Sequence, residues 1–432
     1  MDISLNTLEN VEEVKIKKAV PAVLALMIFA LVIDNSFKII SPDLAKAFNI
    51  SATAVSWQVT LAGLVIGIGA VVYASLSDSI SVRTLLVLGI ILICVGSLLG
   101  FIFQKSFLII VISRIIQSAG LGSAETLYVI FIAKYFKESE HKKYLGFSTS
   151  SYAISQVIGT ITGGYISTYL SWQVLFLIPL LTLVILPFIL KYIPKEKNKA
   201  GNVDYIGFIL VATVAATLMI FVSGFQWGVL IGFIVALALF LIYISKNENA
   251  FISIKFFTNR NFISVLLVAF VIYSVQLAFI FMFPFLVESI YNYRLDQISL
   301  LLVPSYVLAA TVGALFVKTS VLVFIFVMIL FSSSFALMYA PMIDTLTRTI
   351  PKEKTGTAIG FYNFCLNIAT SIGITYVAIF METKYLGKNF TGLFSDLVAI
   401  QYSNVLLVLA VISLVALVLY WTLIGRREKK DI

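Results

Sequence analysis

The stretch VPAVLALMIFALVIDNSFKII, Val20–Ile40, decides the class of this chain. It is an unbroken apolar run long enough to cross a bilayer, and it carries an acid, Asp34, and a base, Lys38, near its far end. A hydrocarbon core about 30 Å thick needs about 20 apolar residues per helix. Lys15, Lys17 and Lys18 precede the run as they would a secretory leader. It is longer than a leader's apolar region and carries charges, so it is read as a helix that stays. Working outward, the same test is met by Trp57–Leu76, Leu85–Phe103, Phe107–Ala133, Leu145–Tyr169 and Trp172–Ile189. It is met again by Ile206–Gly224, Val229–Ile244, Phe262–Leu286, Leu300–Phe316, Val321–Ile343, Ala358–Phe380 and Val405–Ile424. The chain is therefore read as an all-α polytopic membrane protein of about 13 spans.

Composition agrees. The 432 residues are 60% hydrophobic and 12% charged, with a mean hydropathy of +1.05. Soluble domains carry about 25% charged residues. The net charge of +9 lies in short loops, which orients a membrane protein and is no sign of nucleic-acid binding. Cys94 and Cys365 sit inside apolar runs and read as reduced packing thiols. The single histidine, His141, lies in a charged loop, so no metal site is expected. No G-x-x-x-x-G-K-[ST] loop is present, which argues against ATP-driven work. The chain is read as a carrier and not as an enzyme.

With a cytoplasmic N-terminus, the inner loops hold Lys15–Lys18, Arg83, Lys134–Lys143, Lys191–Lys199, Lys246, Lys255 and Arg260. The outer loops hold only Lys46, Lys105 and Arg294. The positive-inside rule holds as far as Leu300–Phe316 and then fails. The run after Lys318 starts almost at once, at Val321, and would put Arg348, Lys352, Lys354 and the tail Arg426–Lys430 outside. An internal repeat bears on this. Ala119–Ser148 and Phe335–Tyr362 each join an apolar helix end to a lysine- and glutamate-rich linker, and then to Gly-Phe opening a polar helix (Gly146-Phe147, Gly360-Phe361). If both linkers face the cytoplasm, the second half lacks one helix near Lys318–Val321, about 25–35 residues. The alternative is a re-entrant segment or a tolerated violation of topology. The expected organisation is a cytoplasmic segment 1–19, an N-terminal bundle 20–192, a linker with two extra helices 193–261, an incomplete C-terminal bundle 262–424 and a basic tail 425–432.

Charges inside apolar runs are expensive, so each is a candidate for function. Asp34 and Lys38 are four residues apart, on one helix face, in the order that suits an ion pair. Arg114 and Gln117 lie in the fourth run, and Glu125 follows Arg114 by eleven residues, within roughly 20° of the same face and about 16 Å along the axis. Both must find their partners on another helix or in water. Arg114 is of the kind that holds a carboxylate charged until protons exchange. The fifth run repeats a small residue every four, Ser155, Gly159, Gly163 and Ser167, a close-packing seam, with Gln156 and Thr160 beside it. The helix from Ala358 carries a polar face of Asn363, Asn367, Thr370 and Ser371. Such a face is expected to line a cavity, with Tyr273, Gln276 and Met282 facing it, shaped for an amphiphilic organic ligand.

These residues resemble a known family. Tyr73-Ala-Ser-Leu-Ser-Asp78-Ser-Ile-Ser81-Val-Arg83-Thr-Leu85 resembles the loop 2–3 signature G-x-L-x-D-x-x-G-x-[RK] of the major facilitator superfamily, with Tyr73 and Ser81 where glycines are usual. Arg114-Ile-Ile-Gln117-Ser118-Ala-Gly120 resembles its fourth-helix signature R-x-x-Q-G, with Ser118 in place of glycine. Gly159-Thr160-Ile-Thr-Gly163-Gly164 resembles the antiporter motif G-P-x-x-G-G, with Thr160 in place of proline. Ile33-Asp34-Asn-Ser-Phe-Lys38-Ile-Ile-Ser-Pro42 resembles the first-helix motif of the fourteen-helix drug:proton antiporter branch, and the two extra helices fit that branch. Within it the chain is similar to the tetracycline-efflux proteins of Gram-positive bacteria, chiefly their chromosomal multidrug members. Gln156 stands where those exporters often carry an acid, and Thr370 lies near where another is replaced.

The resemblance implies two six-helix bundles plus two linker helices in a bacterial plasma membrane, acting as a monomer. It implies export of a tetracycline–metal cation against protons. No cofactor would be bound, the proton gradient would drive the cycle, and Mg2+ would enter only as part of the substrate complex. Asp34, Arg114 and Glu125 would couple protons. Lys38, Gln117, Gln156, Tyr273, Gln276, Asn363 and Asn367 would line the substrate cavity. Asp78 and Arg83 would form the gating loop, and Gly159, Thr160, Gly163 and Gly164 the antiporter motif. Two other readings stand beside this one: export of an endogenous amphiphile such as a fatty acid, and a deletion product that inserts without transporting.

Overall fold

The computed structural model describes residues 16–77, 79–195, 204–247, 250–291, 294, 342, 346, 350, 355–383, 386, 388, 390 and 396–425. Inside a bilayer every backbone N–H and C=O needs an internal partner, which leaves helices as the structure open to such runs. The described chain is accordingly helical. The N-terminal half contains α1 (Val20–Ile39), α2 (Ser41–Phe48), α3 (Ala52–Leu76), α4 (Val82–Ile102), α5 (Phe107–Tyr135) and α6 (Glu138–Tyr169). Two 3-10 segments, Trp172–Phe176 and Ile178–Val184, then lead into α7 (Leu186–Tyr192). Next come α8 (Tyr205–Gly224), α9 (Trp227–Lys246) and the short α10 (Ile254–Thr258). The C-terminal half supplies α11 (Arg260–Tyr291), α12 (Thr355–Glu382) and α13 (Leu397–Tyr420), the last continuing into a π turn, Trp421–Gly425.

Among the described residues, 10 helices are long and apolar enough to cross a membrane. The fifth run, as α6, is a helix of 32 residues whose small and polar side chains keep it out of that set. Leu300–Phe316 and most of Val321–Ile343 lie outside the described residues, and so does the break at Lys318–Val321.

Local chemistry sets the boundaries. The Ser51 and Ser81 hydroxyls accept from the amides of Ala54 and Thr84 and start α3 and α4. Asp204 caps α8 in the same way, accepting from Gly207. Two stretches carry further detail. The charged linker Lys134–Lys143 is mostly helix, because α6 begins at Glu138 and only Phe136 and Lys137 separate it from α5. Glutamate and lysine are good helix formers, so the helix continues through them. The sixth run is tightened into 3-10 turns, with prolines at the starts of its second and third segments.

α1 packs on α5 and α6, α4 on α5, and α3 on α5. The halves meet where α3 lies against α12, which in turn packs on α11. The hairpin of α8 and α9 docks through α8 on α12 and α3. The apolar stretch of α11 is 72% buried and that of α9 only 17%, so α11 is an interior helix and α9 faces lipid.

Candidate functional site

α1 turns Asp34 and Lys38 to one face and sets Lys38 Nζ 2.5 Å from Asp34 Oδ2. From α5, Arg114 Nη2 donates to the other carboxylate oxygen, Oδ1, at 3.0 Å. Arg114 Nη1 donates to Gln117 Oε1 one turn along, and Gln117 Nε2 donates to Ser97 Oγ of α4 at 2.8 Å. Arg114 is 0% exposed and Asp34 is 7% exposed. The guanidinium also lies over the Phe37 ring, 4.4 Å from its centroid. Three helices thus hold one carboxylate between two cations in an apolar interior. Such a cluster is high in energy unless each charge is answered, because desolvation of an unpaired ion costs several kcal/mol. Arg114 Nε has no hydrogen-bond partner, and neither has Ser118 Oγ.

Glu125, half-buried on α5, lies within electrostatic reach of Asp34 and Lys38. The four groups sum to zero when both acids are ionised, and to one positive charge when either is protonated. Tyr152, within reach of both acids, is hydrogen-bonded to the buried Gln156 one turn along α6.

The glycines of the α6 motif carry α1. A Cβ on Gly159 would lie 2.7 Å from the carbonyl oxygen of Val32, and one on Gly163 would lie 2.8 Å from that of Ser36. The Ser36 hydroxyl stands 2.8 Å from the carbonyl oxygens of both Gly159 and Val32. Thr160 and Gly164 are buried in the same helix. The seam therefore lies directly against the turn that carries Asp34.

Other expected cavity residues lie on α11 and α12. Asn367 and Ser371 pack on α3, where a Cβ on Gly67 would come within 2.8 Å of Asn367 Cβ and one on Gly63 would collide with Ser371 Oγ. Asn367 Nδ2 donates to the Asn363 carbonyl at 2.9 Å. This part of the polar face meets a helix. Tyr273 and Gln276 are buried on α11. At the gating loop Asp78 lies outside the described residues, and Arg83 Nη1 donates to the Ile193 carbonyl at 3.5 Å, just beyond α7. Tyr73 and Ser81, where the resembling signature has glycines, have structural work: the Tyr73 hydroxyl donates to the Ala119 carbonyl at 2.9 Å, and Ser81 caps α4. Among the described residues no group of three or more His, Cys, Asp and Glu is placed to hold a metal ion.

Sequence reasoning missed Phe37, Ser97 and the glycines of α4. A Cβ on Gly96 would lie 2.7 Å from the Ser113 carbonyl oxygen, and one on Gly120 would meet the Gly89 carbonyl. This close crossing of α4 and α5 brings Ser97 to Gln117. The signal was present as Gly96 and Gly100 four apart, with Ser97 a lone polar residue in an apolar run.

Comparison with known proteins gives consistent matches. The family profile described as Major Facilitator Superfamily matches residues 22–374. Among curated proteins, the riboflavin transporter RibZ of Clostridioides difficile (strain 630) is 26% identical over 64% of this chain and 62% of its own length. The quinolone resistance protein NorB of Staphylococcus aureus (strain JH9) is 27% identical over 56% of this chain and 55% of its own length. The match thus spans less than two thirds of each relative. Among solved structures, a bacterial homolog of the human lysosomal transporter Spinster, inward-facing and unoccupied, superposes with a TM-score of 0.62 at 10% identity, covering 94% of this chain and 96% of that one. A D-xylose-proton symporter superposes with a TM-score of 0.58 at 13% identity, covering 94% and 97%. These structures share the fold.

Proposed function

Because this chain belongs to the Major Facilitator Superfamily, and is a multi-span membrane transporter in fold, we propose that it is a proton-coupled exporter of flat amphiphilic drugs, with a tetracycline–metal cation complex as the leading substrate. The reading rests on one observation above the others, the buried Asp34 held between Arg114 and Lys38. Protonation of Asp34 cancels the charge that Arg114 and Lys38 answer, so proton binding and release change which helix contacts are favourable. Arg114 returns the carboxylate to its charged form. Glu125, on the same helix, offers a second acid within electrostatic reach of Asp34. Lys38, Gln117, Gln156, Tyr273, Gln276, Asn363 and Asn367 belong to the substrate path, some through the helix contacts that bound it. The bundles rock about that midplane site. Asp78 and Arg83 lock the inner gate, and the Gly159–Gly164 seam, closed on α1, keeps the membrane tight to protons. The protein works as a monomer in the bacterial plasma membrane with its N-terminus inside, binds no cofactor, and meets Mg2+ only with its substrate.

The test is uptake of tetracycline with Mg2+ into everted vesicles carrying an imposed proton gradient, beside Asp34→Asn. Uptake that collapses with the gradient and needs Asp34 supports the reading. Uptake untouched by Asp34→Asn removes the coupling assignment. A second reading, transport of an endogenous flat metabolite, is favoured by the similarity to a riboflavin transporter. Riboflavin and a quinolone belong in the same assay, and riboflavin uptake without tetracycline uptake would choose it. Failure of all three in well-expressed protein would favour a chain that inserts without transporting.

A further inference from the structure

A buried guanidinium whose carboxylate takes up a proton is left as a stranded cation, one of the costliest states in a protein interior. Arg114 reaches that state each time Asp34 is neutral. Two neutral groups then hold it. One is the Gln117 amide, itself anchored 2.8 Å from Ser97 Oγ. The other is Phe37, which is fully buried, with its ring face 4.4 Å under the guanidinium carbon. An aromatic face attracts a cation through its quadrupole, and most strongly where water is excluded. The ring is itself braced. Phe176 stands 4.7 Å away at an interplanar angle of 57°, and Phe176 is seated over Gly100, where a Cβ would lie 2.6 Å from its Cδ1. The Phe37 carbonyl accepts from Gln58 Nε2 at 3.0 Å, which fixes the backbone beneath it.

We propose that Phe37 is a positioning residue of the coupling site: its ring face keeps the Arg114 guanidinium in place while Asp34 is protonated, and so sets how readily Asp34 holds a proton. The inference rests on the reading of Asp34 as the exchanging carboxylate. The sign follows from linkage. With Asp34 ionised, Arg114 has a carboxylate as well as the ring. With Asp34 neutral, the ring carries a larger share of the cation's stabilisation. Removing the ring's quadrupole therefore raises the energy of the protonated state more than that of the ionised state, and Asp34 gives up its proton more readily. Among the described residues, the other ionisable groups that act on Asp34 are Lys38 on α1, Arg114 and Glu125 on α5, and Tyr152 on α6. All are unchanged in variants of Phe37.

The experiment is an infrared titration of the carboxyl C=O stretch in the full chain reconstituted in lipid, with Asp34→Asn identifying the Asp34 band. In Phe37→Leu, which keeps apolar bulk, the protonation midpoint of Asp34 is expected to fall by roughly one pH unit, a loss of about tenfold in proton affinity. Phe37→Tyr keeps the ring and is expected to stay at the wild-type midpoint. Progressively fluorinated phenylalanine at position 37 keeps the shape and drains the ring's negative face, so the midpoint should fall in step with fluorination; this series decides the matter if Phe37→Leu fails to fold. An unchanged midpoint across the series, or a Tyr variant that shifts as far as Leu, overturns the inference and leaves the coupling reading standing. An Asp34 band that never titrates overturns the coupling reading and this inference with it.

Discussion

Arg114 is fully buried, and among the described residues its charge is answered by one carboxylate, one amide and one ring. Arg114→Ala leaves Asp34 with Lys38 as its sole bonded cation and opens a void, so it is expected to destabilise the fold by about 3–5 kcal/mol, read as a fall in the thermal unfolding midpoint in detergent. Arg114→Lys is not expected to recover it, because an ammonium lacks the planar fork that meets Asp34 and Gln117 together. Outside the spans, Asp43 on α2 shows a second effect. Burial, and the neighbouring Glu288, push its carboxyl above the usual carboxylate value, offset by the Ser167 hydroxyl and Lys46. An acid raised in the folded state lowers stability at pH values where it is ionised, and this loss is relieved as pH falls through the folded value. Asp43→Asn, which can still accept from Ser167, is therefore expected to unfold at a higher temperature than wild type at neutral pH, with the difference closing in acid. A wild type that loses ground to the variant on acidification would contradict it. At this scale the sequence was informative. Asp34, Lys38, Arg114 and Gln117 stand out as polar residues in apolar runs, since any such residue is costly in lipid. Phe37 did not stand out, because an aromatic in an apolar run looks like packing.

Among the helices, the seam of α6 shows what spacing can and cannot say. Small residues every four make one stripe on one face, so close packing was legible. That the stripe meets α1, at Val32 and Ser36, depends on which neighbour the bundle supplies. A Cβ at Gly159 or Gly163 would press on α1 backbone, which cannot swing aside as a side chain can. Gly159→Val or Gly163→Val is expected to cost about 1–3 kcal/mol by overpacking, seen as poorer yield and a lower unfolding midpoint. In vesicles the same variants should dissipate a proton gradient faster than wild type. Wild-type stability in both would mean the helices do not touch there. The polar face of α12 is the opposite case. Its spacing was legible, but Asn367 and Ser371 lie against Gly67 and Gly63, because a glycine leaves room for a side chain of the neighbouring helix.

Across the whole molecule, contacts at the end holding α2 tie the halves together. Glu382, the last residue of α12, accepts from the Thr53 amide at 2.8 Å and the Thr53 hydroxyl at 2.7 Å, placing a carboxylate on the positive N-terminus of α3. Lys46 pairs with Glu288 of α11. A state open at this end is expected to break both. In a background lacking Cys94 and Cys365, Thr53→Cys with Glu382→Cys is expected to form a disulfide under mild oxidation and to stop transport until reduced. Failure to cross-link would show that these ends do not meet. Chain order and hydropathy alone determined the class, most of the spans, α8 and α9 among them, and the polar residues worth testing, because a bilayer allows few answers to a long apolar run. They did not determine the partners. Asp34 and Arg114 lie 80 residues apart in sequence, Thr53 and Glu382 329 apart, and Ser97 reaches Gln117 because α4 and α5 cross at glycines. Periodicity says which residues share a face of one helix; only the packing of helices decides what that face meets, because contact depends on the rotation and approach of both.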